Sequence, residues 1–160
     1  MNLLDEVDKI KRDGYSEANA EAKLCQDIII KAISQSSLNR NVTIKGGVVM
    51  RSLSKNARRA TQDLDLDFIR FSISEESIGV FIEKLNCIDG IRLRMSESIE
   101  ELKHQDYKGK RIYIEISDKY GNVLSLKMDI GVHKDLDVEQ EEYCFDVCFQ
   151  EDSASVLINS

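Results

Sequence analysis

Three aspartates alternate with large apolar residues in one short segment, and this alternation constrains the fold more than any other feature. The segment, which we call the aspartate strand, reads Asp-Leu-Asp-Leu-Asp-Phe from Asp63 to Phe68. Successive side chains of a strand point to opposite faces, so Asp63, Asp65 and Asp67 share one face and the apolar side chains share the other. Like charges on one strand face repel each other, and something must offset that repulsion. Because divalent cations take carboxylate oxygens as ligands, the pattern indicates a metal site.

A turn with two glycines precedes the aspartate strand by one helix length. Gly46 and Gly47 end the apolar run 42–44, and the sequence predicts a helix over about residues 48–57. Backbone N–H groups at such a turn and at a helix N-terminus bind phosphate oxygens. The sequence therefore predicts a metal-dependent nucleotide site with the triphosphate at the glycines. Lys45, immediately before them, is expected to point away from this site.

Length and composition limit the classes of protein to which the chain can belong. The chain has 160 residues, 42% of them hydrophobic, which is enough for one sizeable core, and we expect a single domain over residues 1–160. The formal net charge of -7 argues against broad non-specific binding of nucleic acid, which needs a basic surface. The four cysteines are scattered, and no apolar run is long enough to span a membrane. We therefore expect a reduced, cytoplasmic protein with no membrane partner.

Periodicity along the chain predicts an α+β fold in which helices flank a mixed β-sheet. Helices are predicted over residues 3–11, 16–33 and 74–86, the last two beginning at serines. Besides the aspartate strand and the run 42–44, five segments are predicted as strands. They are residues 91–95, 111–116, 123–130, 143–149 and 154–158. Residues 118–122, which include a glycine, are typical of a hairpin turn between the second and third of these.

A fourth aspartate interrupts the second strand of this hairpin. Its even-numbered residues are apolar, whereas Lys127 and Asp129 share the other face. An acid in so apolar a strand costs free energy unless it is paired or binds a cation. If this strand lies beside the aspartate strand, Asp129 completes a three-carboxylate cluster with Asp63 and Asp65. Such a cluster suits phosphoryl or nucleotidyl transfer, because metals held by carboxylates stabilise the attacking and leaving oxygens and one carboxylate can act as a base.

Four short sequence elements follow one another across about residues 44–132. They are Lys45-Gly46-Gly47, the segment Arg-Ala-Thr-Gln-Asp-Leu-Asp-Leu at 59–66, Tyr107-Lys108-Gly109, and Met128-Asp129-Ile130-Gly131. In order and approximate spacing these elements resemble the AbiEii/AbiGii toxin family of the nucleotidyltransferase superfamily. The resemblance implies a nucleotidyltransferase-like fold, an NTP as substrate, and Mg²⁺ or Mn²⁺ as cofactor.

The same resemblance implies roles for individual acids and glycines. Asp63 and Asp65 would bind metal, with Asp129 as the third carboxylate and as the base. Gly46 and Gly47 would lie at the triphosphate.

Three further positions are candidates for nucleotide binding. Arg59 belongs to the motif and Lys127 shares the face of Asp129, but each is explained equally well as a structural counter-ion of the aspartates. Thr61 also belongs to the motif, although a hydrogen bond to backbone near the start of the strand is the role that its position favours.

The resemblance further implies the toxin of a toxin–antitoxin or phage-defence pair. Such an enzyme would transfer an NMP to a tRNA 3′ end or a protein hydroxyl, with a cognate antitoxin as partner. Two alternatives remain: a degenerate, non-catalytic module that holds nucleotide or antitoxin, and a metal-dependent phosphohydrolase or nuclease. Family members continue into a C-terminal helical region, and because this chain ends at Ser160 we expect it to represent the N-terminal catalytic portion.

Several charged residues also have structural explanations. Asp67 lies beyond the family pair, and we expect it to form a structural salt bridge or to support the site indirectly. For Asp129 the alternative to catalysis is an ion pair with Arg59 or Lys127. Six basic positions are candidates for an RNA-binding surface, although solvated strand faces explain them equally well. They are Arg92, Arg94, Lys103, Lys108, Lys110 and Arg111.

Overall fold

The computed structural model describes residues 1–45, 63–104, 107–132, 141–146 and 153–158. Within these ranges three helices accompany one mixed sheet of eight strands, which confirms the predicted α+β class. The helices are α1 (Leu3–Lys11), α2 (Glu17–Gln35) and α3 (Glu75–Lys84). The strands are β1 (Val42–Lys45), β2 (Asp63–Phe68), β3 (Ile91–Met95), β4 (Glu100–His104), β5 (Tyr107–Asp118), β6 (Val123–Val132), β7 (Glu141–Asp146) and β8 (Ser153–Ile158).

The sheet places the aspartate strand, β2, near its centre. The strand order is β3-β5-β6-β2-β1-β8-β7, and β4 also pairs with β5. β3 pairs with residues 114–118 of β5 and β4 with residues 107–111, so these two short strands lie along the same edge of β5. The β2–β6 and β1–β8 pairs are parallel, and the other pairs are antiparallel. β2 is therefore hydrogen-bonded on both sides, to β1 and to β6.

The helices begin where the sequence predicts, and α2 and α3 end within two residues of the predicted 33 and 86. The side chains of Ser16 and Ser74 accept hydrogen bonds from the backbone N–H groups of Asn19 and Ser77, which caps α2 and α3. The chain after α1 turns at Gly14, whose φ of 98° is a conformation that glycine adopts without strain. Within the described ranges, no helix combines the length and the apolar character needed to cross a bilayer.

One hydrophobic core joins the helices to the apolar face of the sheet. Leu64, Leu66 and Phe68 of β2 are fully buried in it together with most of the apolar residues of α1, α2 and α3. Phe68 packs edge-on against Phe71 and Phe81, with ring centroids 5.3 and 5.0 Å apart. Burial of each such side chain contributes about 1.5–3 kcal/mol, so the core fixes which face of β2 is turned away from it. The aspartates occupy that other face.

The β5–β6 hairpin sets the register of the polar face. Its turn is closed by Asp118, whose Oδ1 accepts hydrogen bonds of 2.9 Å from the backbone N–H groups of Tyr120 and Asn122. The pairing is symmetrical about Tyr120, and it places Arg111 opposite Asp129. This register follows from the turn that the sequence predicts.

Three sequence predictions differ from the structure or lie outside it. β5 is longer than the predicted 111–116, and β4 was not predicted at all. The helix predicted at 48–57 lies outside the described residues. So do residues 147–149 of the strand that the structure describes as Glu141–Asp146.

Candidate active site

The polar face of the sheet gathers charged side chains from four adjacent strands. The strands β1, β2, β6 and β5 lie side by side, and alternate residues of each point away from the core. β2 contributes its three aspartates and β6 contributes Lys127 and Asp129. The register places Asp63 opposite Lys127 and Asp65 opposite Asp129. The prediction that Asp129 lies on the strand beside the aspartate strand, on the same face, is therefore confirmed.

Asp65 lies at the centre of this face. β1 places Lys45 opposite it on one side, and β6 places Asp129 opposite it on the other. Burial and then the negative charge of Asp129 raise the pKa of Asp65, and Asp63 and Asp67 add to the effect. Lys45 acts in the opposite sense, but its Nζ lies 2.9 Å from Oδ1 of Asp67. The charged form of Asp65 is therefore disfavoured in the folded protein, and a further cation beside it would offset this cost.

Each of the other three aspartates contacts a basic side chain. Arg111 binds Asp129 through two hydrogen bonds, Nε to Oδ1 at 2.8 Å and Nη2 to Oδ2 at 3.1 Å. Nζ of Lys127 lies 3.3 Å from Oδ2 of Asp63, and both side chains are more than a third exposed.

The third ion pair, between Lys45 and Asp67, is the least accessible. Asp67 is buried, with 7% of its surface exposed. The prediction of a structural salt bridge at Asp67 is therefore confirmed. The prediction that Lys45 points away from the site is wrong: Lys45 has the same strand phase as Thr43, opposite to that of Val42 and Ile44, and lies on the aspartate face.

The four basic candidates whose side chains the structure describes do not all lie on one face of the sheet. Arg92, Arg94 and Arg111 share the polar face, whereas Lys110 alternates to the other side of β5. Arg94 pairs with Glu115 and Lys110 pairs with Glu101, the latter at 3.0 Å. The side chains of Lys103 and Lys108 lie outside the described part. Three of the six candidates therefore already bind carboxylates, and Arg111 belongs to the acid cluster.

An open cleft of about 530 Å³ adjoins the cluster at the Asp63 end. Its lining includes Asp63 and Lys127, and also Tyr113 and Glu115 of β5 and Glu97 from the segment after β3. The hydroxyl of Tyr113 bonds Glu100 Oε1 at 3.1 Å. The cleft therefore gives access from solvent to Asp63 and Lys127.

The carboxylates of this face have the chemistry of a divalent-cation site. Asp63, Asp65 and Asp129 offer hard oxygen ligands from two adjacent strands, as Mg²⁺ and Mn²⁺ prefer. In the described part of the chain, no three side chains are already grouped as ligands of a single ion. Asp63 and Asp129 are instead bonded to Lys127 and Arg111. A metal ion at this face must therefore compete with the protein's own cations.

The remaining predicted site residues lie outside the described residues. They are Gly46, Gly47, Arg59 and Thr61. Sequence reasoning assigned Arg111 to a possible RNA surface and missed its contact with Asp129. The hairpin turn centred on Tyr120 was the signal that places these two residues opposite each other.

The structure has a mixed sheet in which Asp65 and Asp129 lie opposite each other on two adjacent strands. This arrangement agrees with the nucleotidyltransferase-like fold and the acid cluster that the sequence predicts. Comparison with known families supports this class: residues 28–158 match the family described as nucleotidyl transferase AbiEii toxin, type IV TA system. The match covers most of the chain, including all eight strands, and the chain therefore belongs to the AbiEii family of nucleotidyl transferases. A search among curated proteins gave no match.

Proposed function

We propose that this protein transfers an NMP from an NTP to a hydroxyl of a macromolecular acceptor, at a tRNA 3′ end or on a protein, in a metal-dependent reaction. The observation that carries the proposal is the position of Asp65 opposite Asp129 on adjacent strands, where burial and the second carboxylate raise the pKa of Asp65. Such a pair favours a bound cation, and the family assignment supplies the reaction class.

Asp63, Asp65 and Asp129 would hold Mg²⁺ or Mn²⁺. When bound, the metal stabilises negative charge on the attacking and leaving oxygens of the phosphoryl group. Asp129 takes the proton of the acceptor hydroxyl. The hydroxyl oxygen forms a bond to the α-phosphorus of the NTP as the bond between that phosphorus and the pyrophosphate breaks. The cleft that is lined by Asp63 and Lys127 is the proposed entry side for the acceptor.

Lys127 is proposed to bind phosphate oxygens of the NTP. Its contact with Asp63 is 3.3 Å long and both side chains are well exposed, so the pair contributes little to stability. The ammonium group can therefore leave Asp63 for a phosphate at small cost. This frees Asp63 to bind metal.

The residues around the glycine turn are assigned by resemblance to the family. Gly46 and Gly47 would bind the triphosphate through backbone N–H groups, and Arg59 and Thr61 would contact the nucleotide. Lys45, which directly precedes Gly46 in the sequence, lies opposite Asp65 on the aspartate face. This placement supports the assignment.

At the level of the cell, we propose that the protein acts in the cytoplasm as the toxin of a toxin–antitoxin pair that serves in phage defence. Its partners would then be the NTP, the acceptor and a cognate antitoxin. We further propose that residues 1–160 form a single nucleotidyltransferase-like domain, since β1 and β8 from distant parts of the chain pair in one sheet.

The test is to incubate the protein with each α-labelled NTP in turn, with total RNA or total protein, in Mg²⁺, Mn²⁺ or EDTA. Asp65→Asn is compared with Asp89→Asn, a change at an exposed acid after α3. Metal-dependent label on RNA or protein that Asp65→Asn abolishes and Asp89→Asn retains supports the proposal. Release of labelled NMP without an acceptor would instead indicate a phosphohydrolase. Retention of unreacted nucleotide would indicate a binding module.

A further inference from the structure

Arg111 occupies both oxygens of the carboxylate to which we assign the base. It lies opposite Asp129 in the β5–β6 hairpin, and its Nε and Nη2 bind Oδ1 and Oδ2 at 2.8 and 3.1 Å. Bidentate bonds of this kind between a guanidinium and a carboxylate are among the strongest hydrogen bonds in proteins. An ion that approaches Asp129 therefore meets a carboxylate whose charge is already balanced by Arg111 and must compete with that guanidinium for it.

The other two ion pairs restrain the site much less. Lys127 makes a single, longer contact with the exposed carboxylate of Asp63. Lys45 binds Asp67, which is not among the proposed ligands. Among these cations, Arg111 is therefore the main competitor for the metal position between Asp65 and Asp129.

The triphosphate is the best alternative partner for this guanidinium. Arginine is permanently charged, and its planar fork matches phosphate oxygens as well as carboxylate oxygens. The side chain of Arg111 is 30% exposed in its present contact, so it is accessible from the polar face. Its neighbour Glu100 is less suitable because that carboxylate already accepts a hydrogen bond from Tyr113.

We propose that Arg111 is the internal counter-ion of the nucleotide-free site and moves from Asp129 to the triphosphate when an NTP binds. This inference rests on the metal site and the NTP substrate proposed above. It predicts that Mn²⁺ binds weakly to the free protein and that metal and nucleotide each strengthen binding of the other, since coupling between two ligands is reciprocal.

The experiment measures Mn²⁺ binding to the free protein by electron paramagnetic resonance, and binding of the four α,β-methylene nucleoside triphosphates in EDTA by equilibrium dialysis. Arg111→Gln removes the counter-ion. Arg94→Gln is the matched control, since Arg94 lies on the same face and binds Glu115 instead of the aspartates. Asp65→Asn reports whether bound Mn²⁺ uses the proposed ligands, and thermal melting confirms folding.

We expect Arg111→Gln to bind Mn²⁺ about tenfold more tightly and the nucleotide analogue about tenfold more weakly, the size of effect that hydrogen bonds to charged groups produce. Arg111→Lys, which keeps the charge and loses the bidentate geometry, should lie between wild type and Arg111→Gln, and it serves as the test if Arg111→Gln does not fold. Arg94→Gln should match wild type in both measurements.

Two results would overturn the inference while the proposed function stands. One is Asp65-dependent Mn²⁺ binding that Arg111→Gln does not tighten. The other is tighter Mn²⁺ binding with no loss of nucleotide affinity, since Arg111 then never reaches the phosphates. If neither the wild type nor either Arg111 variant binds Mn²⁺ through Asp65, the proposed metal site fails as well.

Discussion

Asp65 and Asp129 lie directly opposite each other on the parallel strands β2 and β6, close to the middle of the sheet. Parallel neighbours in this position bring two carboxylates together where burial weakens their hydration. The arrangement costs folding free energy, which the proposed cation would offset when bound. Variants of single aspartates should therefore separate their roles in stability from their roles in the reaction.

Asp65→Asn should raise stability and abolish function. The folded-state pKa of Asp65 lies above its ordinary value, so the charged form is disfavoured in the folded protein at neutral pH, and removal of the charge is stabilising. Loss of a ligand charge should lower transfer by at least about 100-fold. Melting temperature and transfer rate check the two effects. A lower melting temperature would contradict the charge account.

Asp67→Asn should lower stability and leave much of the transfer activity. Asp67 is buried and its Oδ1 lies 2.9 Å from Nζ of Lys45, so its neutralisation removes this ion pair while Lys45 stays charged. We expect a loss of about 2 kcal/mol in the free energy of unfolding, measured in urea. Transfer should fall much less than in Asp65→Asn. If Asp67→Asn is inactive while Asp63→Asn transfers normally, the metal pair is Asp65 and Asp67.

Asp129→Asn should lower turnover without weakening nucleotide binding, which the release of Arg111 should favour. A base acts mainly in the transition state, and its removal typically costs about 10²–10⁴-fold in rate. The released Arg111 also remains able to bind phosphate. The measurements are single-turnover rates at saturating NTP and dissociation constants in EDTA. Unchanged rates would show that Asp129 is not the base.

Much of this fold was predictable because strong local signals agree with the tertiary structure. Serines at 16 and 74 cap helices, and the alternation in Asp63–Phe68 sets two faces that the core then enforces. The cluster of aspartates followed from this alternation together with the predicted hairpin. Strand neighbours did not follow from periodicity alone, because alternation determines a face and leaves the partner strand open.

The errors have specific physical reasons. The prediction for Lys45 considered its position before the glycines and neglected its strand phase, which is that of Thr43. β4 was missed because Glu100–His104 is polar except for Leu102 and lies at an edge, where pairing with β5 needs no apolar pattern. The contact between Arg111 and Asp129 was not predicted, because it depends on strand pairing that is symmetrical about Tyr120, and only the position of the turn was predicted.

Away from the site, Asp118 should make stability depend on acid pH. Burial alone would raise the pKa of Asp118, but hydrogen bonds from the N–H groups of Leu3, Tyr120 and Asn122 and from the Asn122 side chain lower it to about 2. The bond from Leu3, 2.8 Å long, ties the start of α1 to the hairpin turn. Because the folded-state pKa lies below the unfolded value of about 3.9, ionised Asp118 stabilises the fold above that pH. This stabilisation is lost as the pH falls toward about 2.

Asp118→Asn should therefore cost about 1–2 kcal/mol at pH 6, and the difference from wild type should shrink as the pH falls from 4 to 2.5. Urea unfolding across this range measures it. Asp89→Asn is the control: Asp89 is an exposed acid, and its variant should follow the wild-type curve throughout. A difference between Asp118→Asn and wild type that stays constant from pH 6 to pH 2.5 would mean that the hydrogen bonds stabilise the turn without dependence on the charge. A shrinking difference assigns the stability to the ionised carboxylate that joins α1 to the hairpin.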